Sequence, residues 1–235
     1  FLIMNSIKLS LRLLTAASMV PPDSDVIDVG TDHAYLPIYL LLSGKVRSAS
    51  ASDINEGPIA AARSNAEKYG VAERLTLYLS DGLKECNVSA NRFNCIIICG
   101  MGGELIASII GAKPEVKHSD VRLVLQPMTK TEFLRRYLAG NGFEIIKEDL
   151  AEEGKIYQIT VCRYTGKPYK LTDTEAVIGY APARRSDALF RRFAAARAEV
   201  YRAVAEGKRR ASADTSAEDE IIAGIEAAIH EKETT

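Results

Sequence analysis

The stretch FNCIIIC, Phe93 to Cys99, restricts the fold more than any other part of the chain. Side chains alternate faces along a strand, so one that is apolar at nearly every position must be covered on both faces. Parallel sheets flanked by helices need such strands. The neighbouring sequence agrees. VIDVG (Val26 to Gly30), SASASDI (Ser48 to Ile54), RLTLYLS (Arg74 to Ser80) and VRLVLQP (Val121 to Pro127) read as further strands. Helical stretches follow VIDVG through Leu42, run from Gly57-Pro58 to about Tyr69, open at Gly102-Gly103, and span Thr131 to Ala139, ending at Gly140. Pro58 suits a first helical position. FEIIKEDL and KIYQITVCRY have no helix between them and predict an antiparallel hairpin. The expectation is a doubly wound, Rossmann-like α/β sheet of seven mostly parallel strands that ends in this hairpin.

Two flanking regions differ. Near the N-terminus, Leu9, Leu11, Leu13 and Leu14 predict an amphipathic helix, with Met4 reading as the start; Lys8 and Arg12 argue against a signal peptide. Beyond Thr165-Gly166-Lys167-Pro168 the chain becomes helical throughout, giving expected domains of residues 1–166 and 167–235. Thr172 and Glu175 form a capping-box pattern, as do Thr215 and Glu218. Phe190, Phe193, Val200 and Val204, then Ile221, Ile222, Ile225 and Ile229, predict two stripes of an antiparallel, coiled-coil-like helical hairpin.

Composition removes several function classes. Hydrophobic residues make up 47% and charged residues 26%, with net charge −1, so no global basic field marks a nucleic-acid partner. No apolar run approaches the roughly 18–20 residues of a membrane span. Cys86, Cys95, Cys99 and Cys162 lack C-x-x-C spacing and read as reduced, buried thiols of a cytoplasmic protein. Asp32 and His33 lack metal-ligand spacing, so no metal is expected. The sequence does not set the oligomeric state, and a monomer is the default.

Ligands of open α/β sheets bind beyond the carboxyl ends of the strands. Here the first strand runs into VIDVGTDH. A dinucleotide fold wants G-x-G-x-x-G at this point, but Asp32 and Tyr35 stand where two of those glycines belong. Carboxylates repel a pyrophosphate and attract a ligand with an ammonium and a sulfonium, which describes S-adenosylmethionine. Asp28 and Gly30 end the first strand, with Gly30 allowing close backbone approach. Asp53 ends the second, placed for ribose hydroxyls, and Asp81-Gly82 follows the third, placed for an adenine amino group. Asp32 is also a possible cap of the next helix, and His33 a partly buried structural histidine. The glycines of GMGGE (Gly100 to Glu104) leave room for a flat group, or form only a tight turn.

These motifs carry a resemblance. IDVGTDHAYLP, SDINEGPI, SDGL, ICGMGGELI, LQP and EEGKIYQITV, in this order, resemble the bacterial tRNA (adenine-22-N1)-methyltransferases of the TrmK type over nearly the whole chain. The resemblance implies a Rossmann-like class I methyltransferase fold, S-adenosylmethionine as cofactor, and N1 of an adenine in the tRNA D-arm as target. It implies cofactor contacts from Asp28, Gly30, Asp53, Asp81, Gly82, Gly100 and Gly102. Substrate contacts would come from His33, Tyr35, Gly103, Gln126 and Pro127, with Met128 differing from the Asn of the family's LQPN form. Asp32 is the candidate catalytic residue, as a carboxylate able to stabilise a cationic methylated base or take a proton.

RNA binding needs local charge. Arg184 to Arg210 holds nine basic and three acidic residues, a net +6, and Ala211 to Thr235 holds seven acidic and one basic, a net −6. The two stretches either pair through these charges or turn Arg184, Arg185, Arg191 and Arg192 toward tRNA phosphates. Two rival functions remain open at this level. One is a small-molecule methyltransferase with the same cofactor. The other is a non-catalytic binding module.

Overall fold

A computed structural model describes residues 7–88, 93–179 and 187–230. The chain divides into two compact units, the first ending at Pro168 and the second starting at Tyr169. In the first unit the elements are α1 (Leu11–Met19), β1 (Ser24–Val29), α2 (Tyr35–Leu42), β2 (Val46–Asp53), α3 (Glu56–Lys68) and β3 (Leu75–Leu79). They continue with β4 (Cys95–Gly102), α4 (Gly103–Gly111), β5 (Arg122–Thr129), α5 (Thr131–Gly140), β6 (Phe143–Glu153) and β7 (Lys155–Tyr164).

The sheet has seven strands in the order β3-β2-β1-β4-β5-β7-β6. Strands β1 to β5 are parallel; β7 runs antiparallel to β5 and to β6. The apolar run of β4 explains the layering. Cys95 and Ile97 face the core made with α1, α2 and α3, while Ile96 and Ile98 face the core made with α4 and α5. All four are fully buried. Each isoleucine so placed contributes about 1.5–3 kcal/mol over exposure. Gly154, at φ +71°, makes the turn between β6 and β7. All four cysteines are free thiols, and Cys86, Cys95 and Cys162 are buried.

Local starts follow capping chemistry, with one shift. Ser10 caps α1 by accepting from the Leu13 N–H. Pro58 is the third residue of α3 rather than the first, because the helix begins at Glu56. Its missing N–H still falls in the first turn, where no intrahelical bond is lost. On the far side of the sheet Arg135 of α5 is buried with a buried carboxylate. Its Nε donates to Glu148 Oε1 at 2.7 Å and its Nη2 to Gln158 Oε1 at 2.6 Å; Thr160 Oγ1 donates to the same Glu148 oxygen at 3.1 Å.

The second unit holds α6 (Asp173–Ile178), α7 (Ala188–Arg210) and α8 (Ser216–His230). The Thr172–Glu175 capping box forms at the start of α6. That helix packs on both of the others, making a three-helix cluster rather than a bare hairpin. A Cβ on Gly224 of α8 would lie 2.1 Å from Thr174 Oγ1, so any larger residue there would have to displace Thr174.

Two expectations fail in this unit. Val200 and Val204 are 48% and 45% exposed. The seam of α7 runs instead through Phe190, Phe193, Ala194, Ala198 and Ala205, which keep the helical period. Small alanines let α8 approach with Ile221, Ile225 and Ala228, while Ile222 and Ile229 are only partly buried. The Thr215–Glu218 box is also replaced. Glu218 accepts two hydrogen bonds from Lys208 Nζ, at 2.7 and 2.8 Å, and Thr215 Oγ1 donates to Asp219. Arg209 pairs with Asp219 and Arg202 with Glu226, so with Lys208–Glu218 three ion pairs join the two helices.

Candidate active site

The strand order turns back between β1 and β4, and open α/β sheets form their crevice at such a reversal. A cleft of about 280 Å³ lies there, with Arg12, Asp28, Gly30, Tyr35, Cys99 and Gly100 in its wall. Asp28 shares its sheet face with Val26, the face that α1 and α2 cover. It is buried, and its Oδ2 accepts from Thr31 Oγ1 at 2.6 Å. Its Oδ1 has no hydrogen-bond partner among the described residues. Burial pushes the carboxyl up to about 6; the Thr31 hydroxyl and Arg12 oppose this, and the negative charge of Asp53 adds to it. A half-satisfied buried carboxylate facing a cleft fits a cationic ligand group.

The loop after β1 is built for another purpose than holding phosphate. The amides of Gly30 and Thr31 both donate to the Ser52 carbonyl, at 2.7 and 3.0 Å. In a dinucleotide fold such amides would be offered to a pyrophosphate. Gly30 has φ +75°, and a Cβ there would lie 2.1 Å from Met101 Cε. Asp32 and Ala34 also take positive φ, at 50° and 55°. Such strain concentrates at functional sites. Ala34 is the N-cap residue of α2 and no side chain caps the helix, so Asp32 does not cap it. It is exposed, with its Oδ1 3.5 Å from His33 Nε2. The His33 and Tyr35 rings are 5.5 Å apart at 32°. These three residues form an exposed lip of the cleft.

Asp53 and Asp81 occupy the next two strand tips. Val29 aligns with Ser52, and Asp53 with Leu79, so the ends of β1, β2 and β3 share one edge. Asp53 accepts from the Asn55 N–H at 2.9 Å. Asp81 is exposed and paired with Lys84. Gly82 has φ +63°, a conformation that favours glycine, and a Cβ there would lie 3.1 Å from Ile109 Cγ1. Gly100 has φ +83°, and its N–H donates to Gln126 Oε1 at 3.2 Å.

The comparisons with known proteins point one way. A methyltransferase-domain family matches residues 9–160. The tRNA (adenine(22)-N(1))-methyltransferase of Bacillus subtilis is 37% identical over 159 residues, which cover 67% of this chain and 66% of that enzyme, just under two thirds of its length. The solved B. subtilis m1A22 tRNA methyltransferase TrmK has a TM-score of 0.78 at 29% identity, over 95% of this chain and 96% of that one. A candidate tRNA (m1A22) methyltransferase of Streptococcus pneumoniae, solved with S-adenosyl-L-methionine, has a TM-score of 0.81 at 32% identity, over 95% and 100%. This chain belongs to the TrmK-type tRNA (adenine-22-N1)-methyltransferase family. The Rossmann-like class I methyltransferase fold expected of that family is the one observed.

Set beside the TrmK-type expectations, the site brings together Asp28, Gly30, Asp32, His33, Tyr35 and Gly100 in one cleft. Three further expected substrate contacts, Gly103, Gln126 and Pro127, are buried. Gly103 is fixed by packing: a Cβ there would lie 2.4 Å from the Lys130 carbonyl oxygen. Gln126 and Pro127 are buried near the end of β5. A Cβ on Gly102 would lie 3.2 Å from Thr129 Oγ1. Arg191 and Arg192 are exposed on α7 of the second unit, while Arg184 and Arg185 lie outside the described residues. Arg12 is a cleft residue that the sequence did not reveal. Among the described residues no group of three or more His, Cys, Asp or Glu is arranged to hold a metal, and no helix is long and apolar enough to cross a membrane.

Proposed function

We propose that this protein is an S-adenosylmethionine-dependent enzyme that methylates N1 of adenine 22, in the D-arm of tRNA, in the cytoplasm and as a monomer. The observation that carries the reading is the buried, half-satisfied Asp28 carboxylate beside Gly30 in the β1–β4 crevice. The family membership supports the target. When bound, the cofactor supplies a methyl group on a cationic sulfur, which a base nitrogen with an in-plane lone pair takes directly. Asp28 meets the cofactor's ammonium, Asp53 its ribose, and Asp81 its adenine amino group once Lys84 releases it.

The chain's own part is mostly placement. Holding donor and base in line accounts for up to roughly 7–11 kcal/mol of barrier in favourable cases. The His33–Tyr35 lip stands beside the cleft as a stacking surface for the target base. N1 lies on the Watson–Crick edge, so the adenine enters unpaired or extruded. Methylation at N1 makes the base cationic, and Asp32, exposed on the same lip, stabilises that charge. Arg191 and Arg192, with Arg184 and Arg185, contact tRNA phosphates; Lys208 and Arg209 instead hold α8.

The test is methyl transfer from isotopically labelled S-adenosylmethionine to an unmodified tRNA transcript, followed by nucleoside mapping. The reading predicts 1-methyladenosine at position 22 and no label in a transcript with guanine there. Label in small molecules alone, or no transfer at all, overturns it.

A further inference from the structure

We propose that Leu105 and Phe133 form a stacking shelf for a nucleotide flanking the target adenine, with its phosphate on Lys130. This rests on the tRNA reading above and adds a second contact surface to it. Each of the five parallel strands ends in, or is followed by, one exposed large apolar side chain: Tyr35, Ile54, Leu79, Leu105 and Phe133. Single exposed apolar residues scattered over a surface mean little, but a row of them along one sheet edge marks a binding surface. The first three stand beside the strand tips that carry Asp28, Asp53 and Asp81. Leu105 and Phe133 lie past those tips and are 51% and 45% exposed.

The two residues hold matching places. Each is the third residue of its helix, after an acid and before a buried apolar side chain: Glu104-Leu105-Ile106 in α4 and Glu132-Phe133-Leu134 in α5. The two helices pack together, and their starts abut where Gly103 meets the Lys130 carbonyl. The shelf is continuous with the cleft. Gly100 is in the cleft wall, and two residues later Gly102 pairs with Thr129 of β5.

Charge selects the occupant. The three carboxylates on the β1–β3 side repel RNA phosphates, so an RNA strand approaches over β4 and β5. There Lys130 and Lys155 are exposed, and neither ammonium pairs with a carboxylate among the described residues. Lys155 begins β7, which runs antiparallel to β5, so it stands at the same end of the sheet. Glu104 and Glu132 lie in the first turns of α4 and α5, where the helix dipoles favour them. They keep phosphate off the helix starts and do not oppose a neutral base, for which an aromatic ring is a stacking face.

Fluorescence anisotropy of an end-labelled tRNA transcript with the full chain tests this, beside calorimetry with S-adenosylhomocysteine. Phe133→Ala is expected to weaken tRNA about 5- to 150-fold and Phe133→Tyr less than about 2-fold, with S-adenosylhomocysteine affinity unchanged in both. Lys130→Asn, which tolerates the positive φ of that position, should lower the salt slope of tRNA binding by about one. Unchanged tRNA affinity in Phe133→Ala overturns the assignment, and a fall in its solution mass would then give the shelf to a second copy of the chain. An equal loss of cofactor affinity also overturns it, since Phe133 would then serve the fold. If the unsubstituted chain does not methylate tRNA, the tRNA reading itself falls and this inference with it.

Discussion

Replacing Asp28 with asparagine should make the ligand-free protein more stable at neutral pH while removing its cofactor affinity. Burial raises the Asp28 carboxyl from 3.8 to about 6, against the pull of Thr31 and Arg12. At about 1.36 kcal/mol per unit, keeping this group ionised in the fold costs on the order of 3 kcal/mol above pH 6. The sign follows from proton counting. Between about pH 3.8 and pH 6 the folded state binds more protons than the unfolded chain, so stability falls as pH rises through that window and is flat above it. Asparagine keeps an acceptor for the Thr31 hydroxyl and has no charge to bury. Asp28→Asn is therefore expected to gain about 1–3 kcal/mol at about pH 8 and less than about 1 kcal/mol at about pH 4.5. Urea unfolding at the two pH values reads this difference, and calorimetry with S-adenosylhomocysteine reads the lost affinity. A variant destabilised equally at both pH values would refute the reasoning, because Asp28 would then be a structural charge with its needs met inside the fold.

Asp53→Ala is expected to weaken S-adenosylhomocysteine by about 10- to 150-fold in calorimetry, the worth of one charge-assisted hydrogen bond; unchanged affinity would remove Asp53 from the site. Asp32→Asn should retain cofactor affinity and slow single-turnover methylation of tRNA, and an unaltered single-turnover rate would exclude it from that step. Glu148→Ala leaves Arg135 buried beside a lost carboxylate and should cost about 3–5 kcal/mol in urea unfolding, with a loss below about 1 kcal/mol counting against it. Gly103→Ala drives a Cβ into the Lys130 carbonyl and should cost about 1–3 kcal/mol. Gly57→Ala, helical and with open space around it, should be neutral or gain about 0.5–1 kcal/mol, and equal effects at the two glycines would show that the contact does not matter.

Strand runs were easy to read because burial on both faces leaves an unbroken apolar mark, as in Cys95 to Ile98. The acids at the ends of β1 and β2 were legible for a related reason: a charge directly after a buried run has few structural excuses. Arg12 left no such mark. It interrupts an apolar helix face, which reads as solvent contact, and the Gln126 that aims it lies 114 residues away. Gln126 and Pro127 entered only through the resemblance, and the strand pattern did not show that the Gln126 side chain turns inward to accept from Arg12 and Gly100. Gly103 shows the reverse ambiguity, since room for a ligand and room for a carbonyl look alike in a sequence. In the second unit Val200 and Val204 fit a helical spacing, but alanines make the closer seam. Glu218 fitted a capping box until Lys208 offered a charged partner.

A structure of the protein crystallised with S-adenosylhomocysteine tests the central claim most directly. The account predicts the ribose at Asp53, the adenine beside Asp81 and the ammonium of the amino-acid tail at Asp28. Density for the ligand away from the tips of β1, β2 and β3, or an amino-acid tail turned away from Asp28, would contradict it.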